Sequence, residues 1–382
     1  GPVGTVPPLF PYQQEALDAA LRATRGVIDL PPRSGKTRVA AAILVTLGLP
    51  AIYVTPRIEL VRQAVEELRR WIPANHVLPL TGGAGKMNAA SHRKMLATMV
   101  WVATPMTAAG RGFDGIPGIR SRRVLMLDEF HHSAADSFQA ISAACHGAYW
   151  RYGMTGTFYR ADGADMEMHG VLAAPVYARS ISEMVAEGRL VPARVAMLRL
   201  ECAPIHARGH EARVEALVDH QPRNAALAAA ARHLAATGHR VLVLTKEIRH
   251  SEMISSMIPG SVQVDGRDNT QVRAALDALE ARRIPAVVGT SVIGEGVDVP
   301  AADALVYAAG GKSRVKVVQD VFRVLTGHPT KRVGIIVDCA DDHNDGLLRH
   351  AAERLAIYRS EPSFDARVIR AADFAGWLDG RR

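Results

Sequence analysis

Short, largely apolar runs containing β-branched residues alternate along this chain with longer stretches of helical spacing. The runs are Val27–Leu30, Ala51–Thr55, Val100–Ala103 and Val124–Leu127, then Val241–Thr245, Ala286–Gly289, Ala304–Tyr307 and Gly334–Val337. Between them lie Ala-rich amphipathic segments such as Thr37–Leu47, Ile58–Trp71, Arg223–Thr237 and Asn269–Arg282. A strand that is apolar at every position must be covered on both faces, so the pattern predicts parallel sheets flanked by helices, an α/β class of fold. It runs once to about Pro192 and restarts near Arg240. For 382 residues, at roughly 100–200 per domain, the expectation is two tandem domains, residues 3–202 and 203–382. The hinge is expected near the start of Ala203–Pro222, a stretch of Pro, Gly, His and charge without a clear strand.

Composition narrows the class further. With 48% hydrophobic and 22% charged residues, the chain is not mainly disordered, collagen-like or coiled coil. No apolar run approaches the roughly 18 residues that span a bilayer, which predicts no membrane partner and a cytoplasmic setting. Lys+Arg 46 against Asp+Glu 38 leaves a net charge of +8, which admits a polyanionic partner. Cys145, Cys202 and Cys339 are far apart and never form a C-x-x-C pair. That argues against a disulfide scaffold or a Cys-based zinc site and for a reducing compartment. Gly1-Pro2 reads as a scar of tag removal, and no basic-then-apolar leader follows.

The most informative stretch is Leu30-Pro31-Pro32-Arg33-Ser34-Gly35-Lys36-Thr37. It follows a strand and opens a helix, as a P-loop does, so successive backbone N–H groups can cradle phosphates at a helix N-terminus. In this reading Lys36 neutralises the β- and γ-phosphates and the Thr37 hydroxyl ligates Mg²⁺. Leu30 and Arg33 stand where glycines are common, which leaves the glycine-rich pattern incomplete. The second piece is Val124-Leu125-Met126-Leu127-Asp128-Glu129-Phe130-His131. An apolar strand ending in two carboxylates supplies the other half of such a site: Asp128 holds Mg²⁺ through water, and Glu129 polarises the attacking water. Together the two pieces predict hydrolysis of ATP or GTP.

At this point the residues resemble superfamily 2 DExH-box helicases and translocases, closest to the group of phage UvsW-like helicases, XPB-like repair translocases and restriction-enzyme (ResIII) motors. The resemblance runs from Leu9 to about Phe364. Pro11-Tyr12-Gln13-Gln14-Glu15-Ala16 resembles the family's N-terminal motif, and the P-loop and Asp128-Glu129-Phe130-His131 resemble motifs I and II. Thr55-Pro56-Arg57-Ile58-Glu59-Leu60 resembles motif Ia, Ala103-Thr104-Pro105 the later Thr-Pro contact, and Gly153-Met154-Thr155-Gly156-Thr157 motif III. Val243-Leu244-Thr245-Lys246 resembles motif IV, and residues 289–300, from Gly289-Thr290-Ser291 to Gly296-Val297-Asp298, resemble motif V. Gln319-Asp320-Val321-Phe322-Arg323-Val324-Leu325-Thr326 aligns with motif VI, where Phe322 replaces the usual glycine and Thr326 the second arginine.

The resemblance implies two tandem RecA-like domains with an inter-domain ATP cleft. It implies ATP and Mg²⁺ as cofactors, held by Tyr12, Gln13 (reading the adenine edge), Arg33, Ser34, Gly35, Lys36, Thr37, His131, Gly296, Asp298 and Gln319. Lys36, Asp128, Glu129 and the finger Arg323 would carry the chemistry, with Arg314 or Arg332 as competing cations. Thr155 and Thr157 would couple the sites. Pro56, Arg57, Thr104, Pro105, Thr245, Lys246, Thr290 and Ser291 would meet a nucleic-acid backbone, with Gly83 added from a loop that imitates a P-loop. The expected activity is that of an ATP-dependent DNA helicase or translocase acting on single-stranded or branched DNA without sequence preference, as a monomer or weak oligomer. Two alternatives stay open: an RNA helicase, and a nucleic-acid-binding regulator that holds ATP but hydrolyses it poorly. Two decoys are set aside. His131 and His132, as strand neighbours, face opposite ways and do not chelate one metal. Asp341-Asp342-His343-Asn344-Asp345-Gly346 imitates a calcium loop, yet its twelfth position is Ala352, so it reads as a solvated turn.

Overall fold

The computed structural model describes residues 3–80, 89–105, 116, 118–129, 135–156, 174–265, 268–290 and 301–380. They divide into two compact units, Gly1–Ser180 and Ile181–Arg382. In the first, β1 (Arg25–Asp29), β2 (Ala51–Val54), β3 (Val77–Leu80), β4 (Val100–Ala103), β5 (Val124–Asp128), β6 (Trp150–Thr155) and β7 (Pro175–Ala178) form one sheet in the order β3-β4-β2-β5-β6-β1-β7. Every pairing in it is parallel. In the second, β8 (Ala193–Arg199), β9 (Val241–Thr245), β10 (Val262–Val264), β11 (Ala286–Thr290), β12 (Ala304–Tyr307), β13 (Gly334–Cys339) and β14 (Phe364–Arg370) form the order β10-β11-β9-β12-β13-β8-β14. This sheet is also parallel throughout. Counted from each unit's own first strand, the two orders are the same.

The runs read from sequence as buried strands sit at or near the centres of these sheets. β2, β4, β9, β12 and β13 are buried at every position. Their side chains join Trp101, Leu125, Ile141 and Cys145 in one core and Leu227, Leu234, Ile254 and Trp377 in the other. Each fully buried aliphatic contributes about 1.5–3 kcal/mol. Helices Lys36–Leu47 and Gln221–Ala236 cover the corresponding connections β1-to-β2 and β8-to-β9. The division of the chain falls earlier than the expected one after residue 202. The reason is β8, which pairs along its whole length with β13 and β14 and so belongs to the second sheet. β14 is an edge strand of mixed polarity, with Arg367 paired to Asp365 and Arg370 to Asp373.

Candidate nucleotide site

The connection after β1 is shaped by two left-handed residues, Arg33 (φ 64°) and Gly35 (φ 78°). A β-carbon at Gly35 would lie 2.5 Å from Gln13 Nε2, so conformation and space both demand glycine there. Arg33 adopts its left-handed backbone with a β-carbon in place, at a cost of about 1–2 kcal/mol. Leu30, the other departure from a glycine-rich loop, lies outside the cradle. Its side chain is fully buried, and its N–H donates to the Thr155 carbonyl at 2.9 Å. The loop is braced from the N-terminal helix Pro11–Ala23. Tyr12 Oη and Gln13 Nε2 both donate to the Ser34 carbonyl, at 2.7 and 2.8 Å, and Gln13 Oε1 accepts from Phe10 N–H at 3.0 Å. The Gln13 amide, expected at an adenine edge, is therefore engaged with protein at both ends here.

Lys36 opens helix Lys36–Leu47 and is buried. Its Nζ donates to Leu30 O at 3.3 Å and pairs with Glu129 Oε1 at 3.2 Å. Gly156, just beyond β6, presses on the same loop. A β-carbon there would sit 2.9 Å from Pro32 Cδ and 3.0 Å from Lys36 Nζ. Asp128 ends β5, and Glu129 follows with φ 46°, a left-handed conformation that non-glycine residues keep mainly where surrounding structure enforces it. Its N–H donates to Met154 O at 2.9 Å. Burial, and then the Glu129 carboxylate beside it, lift Asp128 to a pKa of about 6, against the opposing pull of Tyr53 and Lys36.

Tyr53 is the residue that sequence reading passed over. β2 lies beside β5 with Tyr53 opposite Met126, and the phenol reaches past the strand end to donate to Asp128 Oδ2 at 2.7 Å. Burial, then Asp128 itself, hold the Tyr53 phenol well above its usual range, while the Thr37 hydroxyl bonds to it. Thr37, Tyr53 and Asp128 thus form one chain of contacts. Asp128 Oδ1 is buried and has no hydrogen-bond partner among the described residues. A carboxylate oxygen with an unused lone pair, linked through one phenol to a hydroxyl, fits a hard cation such as Mg²⁺, which takes few protein oxygens and keeps its waters.

The other expected residues sit at the same ends of their strands. Thr155 closes β6 and is buried. Pro56 and Arg57 follow β2, with Arg57 exposed; Thr104 and Pro105 follow β4 and are buried. In the second unit Thr290 ends β11 and Lys246, exposed, follows β9. Thr245, expected to meet a nucleic-acid backbone, is fully buried, and its hydroxyl donates to the Glu247 and Gly289 carbonyls at 3.1 and 3.2 Å. Gln319 lies on helix Arg314–Val321. Arg323, in the turn Phe322–Val324, is buried, with Nε and Nη2 both 3.2 Å from Asp320 Oδ1. Phe322 is buried too. Thr326 bridges to Leu190, and its carbonyl accepts from Lys331 Nζ at 3.0 Å. Gly83, His131, Thr157, Ser291, Gly296 and Asp298 lie outside the described residues.

The calcium-like stretch is a correction, since it is no solvated turn. Asp341 is fully buried between Arg223 (2.7 Å) and Arg354 (3.0 Å), and Arg354 also pairs with Asp338 at 2.8 Å. Asn344 caps helix Asp345–Arg359 through the Gly346 and Leu347 N–H groups.

Two all-parallel sheets, one bearing a P-loop lysine against paired acids at its strand ends, define a P-loop nucleotide hydrolase with a second domain of the same topology. Comparison with known proteins narrows the class. The family model of the type III restriction enzyme res subunit matches residues 7–160. The ATP-dependent DNA helicase uvsW of Enterobacteria phage T4 is 20% identical, over 92% of this chain and 75% of its own. The DNA 3'-5' translocase XPB2 of Sulfurisphaera tokodaii is 23% identical, over 82% and 77%. The DNA-bound Type ISP restriction-modification enzyme LlaBIII superposes with a TM-score of 0.71 at 16% identity, over 99% of this chain and 32% of that one. These similarities support a superfamily 2 helicase or translocase, a class of nucleic-acid-dependent ATPases, near the group of UvsW, XPB and the restriction motors.

Proposed function

We propose that the chain is an ATP-dependent DNA helicase or translocase of the DExH type, acting on branched or forked DNA in recombination, repair or fork remodelling. The observation that carries this reading is the pair of buried Lys36 with half-buried Glu129 at 3.2 Å, beside Asp128 and the oxygen it leaves unused among the described residues. The names of the relatives, a DNA helicase and a DNA translocase, support the choice of polymer.

Bound ATP–Mg²⁺ would supply the phosphoanhydride bond and screen its charge. The remaining work falls to side chains of this chain. Lys36 exchanges Glu129 for phosphate oxygens, and that exchange frees the Glu129 carboxylate to take a proton from the attacking water. Thr37 and Asp128 offer oxygens to the cation, with Tyr53 fixing how the Asp128 carboxylate points. Arg323, held by Asp320 at 3.2 Å, is the residue that the family resemblance offers as the finger for charge developing on a γ-phosphate. Exposed Arg57 and Lys246 supply cations to a phosphate backbone, which gives affinity without base readout.

The test is ATP turnover with no nucleic acid, single-stranded DNA, forked DNA, four-way junctions and RNA, side by side. Stimulation is expected to be greatest with forked or junction DNA. Equal or greater stimulation by RNA would reassign the substrate. Tight ATP binding without hydrolysis on any polymer would defeat the motor reading in favour of an ATP-holding regulator.

A further inference from the structure

The second unit carries a cluster that neither the helicase chemistry nor the family comparisons use. Cys202 lies just past β8, His220 caps helix Gln221–Ala236, and His343 lies just past β13. One ligand atom from each falls within 4.8 Å of the others. The imidazoles stack face to face, with centroids 4.1 Å apart and planes 6° from parallel. Both histidines are more than nine-tenths buried. Their Nδ1 atoms are buried without a hydrogen-bond partner among the described residues.

The His343 tautomer is fixed by its other nitrogen. Nε2 lies 2.7 Å from the Ala216 carbonyl, which only accepts, so Nε2 carries the proton and Nδ1 offers a lone pair. That is the arrangement of a metal-ligating histidine, whose distal N–H is anchored on a backbone carbonyl. Ala216 sits in the π-helical turn Val214–Val218, a geometry frequent at functional sites.

We propose that Cys202, His220 and His343 form a binding site for a borderline-soft transition-metal ion of the zinc type, with water or a substrate atom as fourth ligand. Thiolate and imidazole together select such an ion over Mg²⁺ or Ca²⁺. Tetrahedral zinc sets its ligand atoms roughly 3.3–3.7 Å apart and takes each lone pair in its ring plane, which two parallel rings cannot offer to one ion, so the His220 ring must turn out of the stack as the ion enters. The surroundings tolerate the charge. Arg223 is already neutralised by Asp341 at 2.7 Å, and Asp342 lies close to Cys202 while pairing with Arg199 at 3.0 Å. A cysteine thiol is mainly S–H near neutrality, so one S–H bond is exchanged for one S–metal bond with release of a proton. The ion would tie together the segments after β8, before helix Gln221–Ala236 and after β13.

The test uses the full chain, stripped with a chelator and titrated with Zn²⁺ against a chromophoric competitor. The expected result is one equivalent bound and about one proton released per ion. Co²⁺ in its place should show thiolate-to-cobalt charge-transfer absorption. Cys202→Ser and His343→Ala should each weaken binding on the order of 10²-fold or more, whereas Lys36→Ala should not. Because Cys202 is only half-buried, Cys202→Ser keeps the test alive if His343→Ala does not fold. The wild-type cobalt spectrum needs no variant at all. Uptake that Cys202→Ser leaves unchanged, a cobalt spectrum lacking the thiolate band, or no stoichiometric uptake would each overturn the proposal.

Discussion

The two units repeat one strand order and then do opposite things with it. In the first, the strand ends collect groups left in tension: a lysine 3.2 Å from a glutamate, an aspartate with an idle oxygen, two non-glycine residues with left-handed backbones. In the second, the corresponding edge holds Arg223, Asp341, Arg354 and Asp338 in a closed, fully buried set of ion pairs. The contrast shows in two acids. Burial and a like charge raise Asp128 to about 6. Burial also works against ionisation of Asp341, but Arg223 and Arg354 overcome it and draw the group down to about 2. One topology thus presents a carboxylate poised to titrate near neutrality and another locked in its charged form. The fold supplies the edge, and the side chains decide whether it reacts or holds.

The largest effect that would sharpen this contrast is Lys36→Ala. It should lower ATP turnover by about 10³-fold, with the thermal midpoint nearly unchanged. Steady-state turnover at saturating ATP checks it, and a variant as fast as wild type would remove the P-loop from the chemistry. Arg354→Ala should do the reverse. It strands Asp338 as a buried charge and leaves Asp341 with Arg223 alone, at a cost of about 3–5 kcal/mol, read by denaturant unfolding. The same network sets an acid limit. Asp341 has its folded pKa below the ordinary 3.8, so its stabilisation is complete above about pH 4 and is lost as pH falls towards 2. Wild type should lose stability across that window, and an Asp341→Asn variant should lose less there.

Tyr53→Phe comes next. The phenol's hydrogen bond holds Asp128 down, so its loss should move the acidic limb of the kcat/KM profile, which reports the free enzyme, upward and slow turnover roughly tenfold near neutrality, within the range of single hydrogen bonds to charged groups. An unmoved limb would assign Tyr53 to packing alone. The smallest effect belongs to Arg33→Gly. Relief of the left-handed backbone, offset by the greater freedom of unfolded glycine, should leave stability within about 1 kcal/mol of wild type. A loss of several kcal/mol would show that the Arg33 side chain, and not its backbone, governs the loop.

Legibility in the sequence followed burial. Strands covered on both faces, such as β2, β4, β9 and β13, announce themselves as unbroken apolar runs. β8 was missed because Arg194 and Arg199 interrupt it, β3 because Pro79 sits inside it, and β14 because it alternates at a sheet edge. Of the nucleotide site, Lys36, Asp128 and Glu129 were legible because their neighbours in sequence carry the pattern. Tyr53 was not, since only the pairing of β2 with β5 brings a phenol to Asp128. The trio Cys202, His220 and His343 was invisible for the same reason. Its members are separated in sequence, and the pairing of β8 with β13 brings the segments holding Cys202 and His343 side by side, next to the start of helix Gln221–Ala236 that holds His220.

The polar edge at β14 also bears on how the protein behaves in concentrated solution. A seven-residue strand with one open side is a template on which another molecule's strand can crystallise out of order, the first step towards a precipitate or fibre. Here the outermost strand shows solvent two arginine–aspartate pairs, Arg367 with Asp365 and Arg370 with Asp373. An incoming strand would have to strip water from four charges before its backbone could pair. The cost falls on the intruder and not on the folded chain, so self-association through this edge is discouraged without any sacrifice in the sheet's interior.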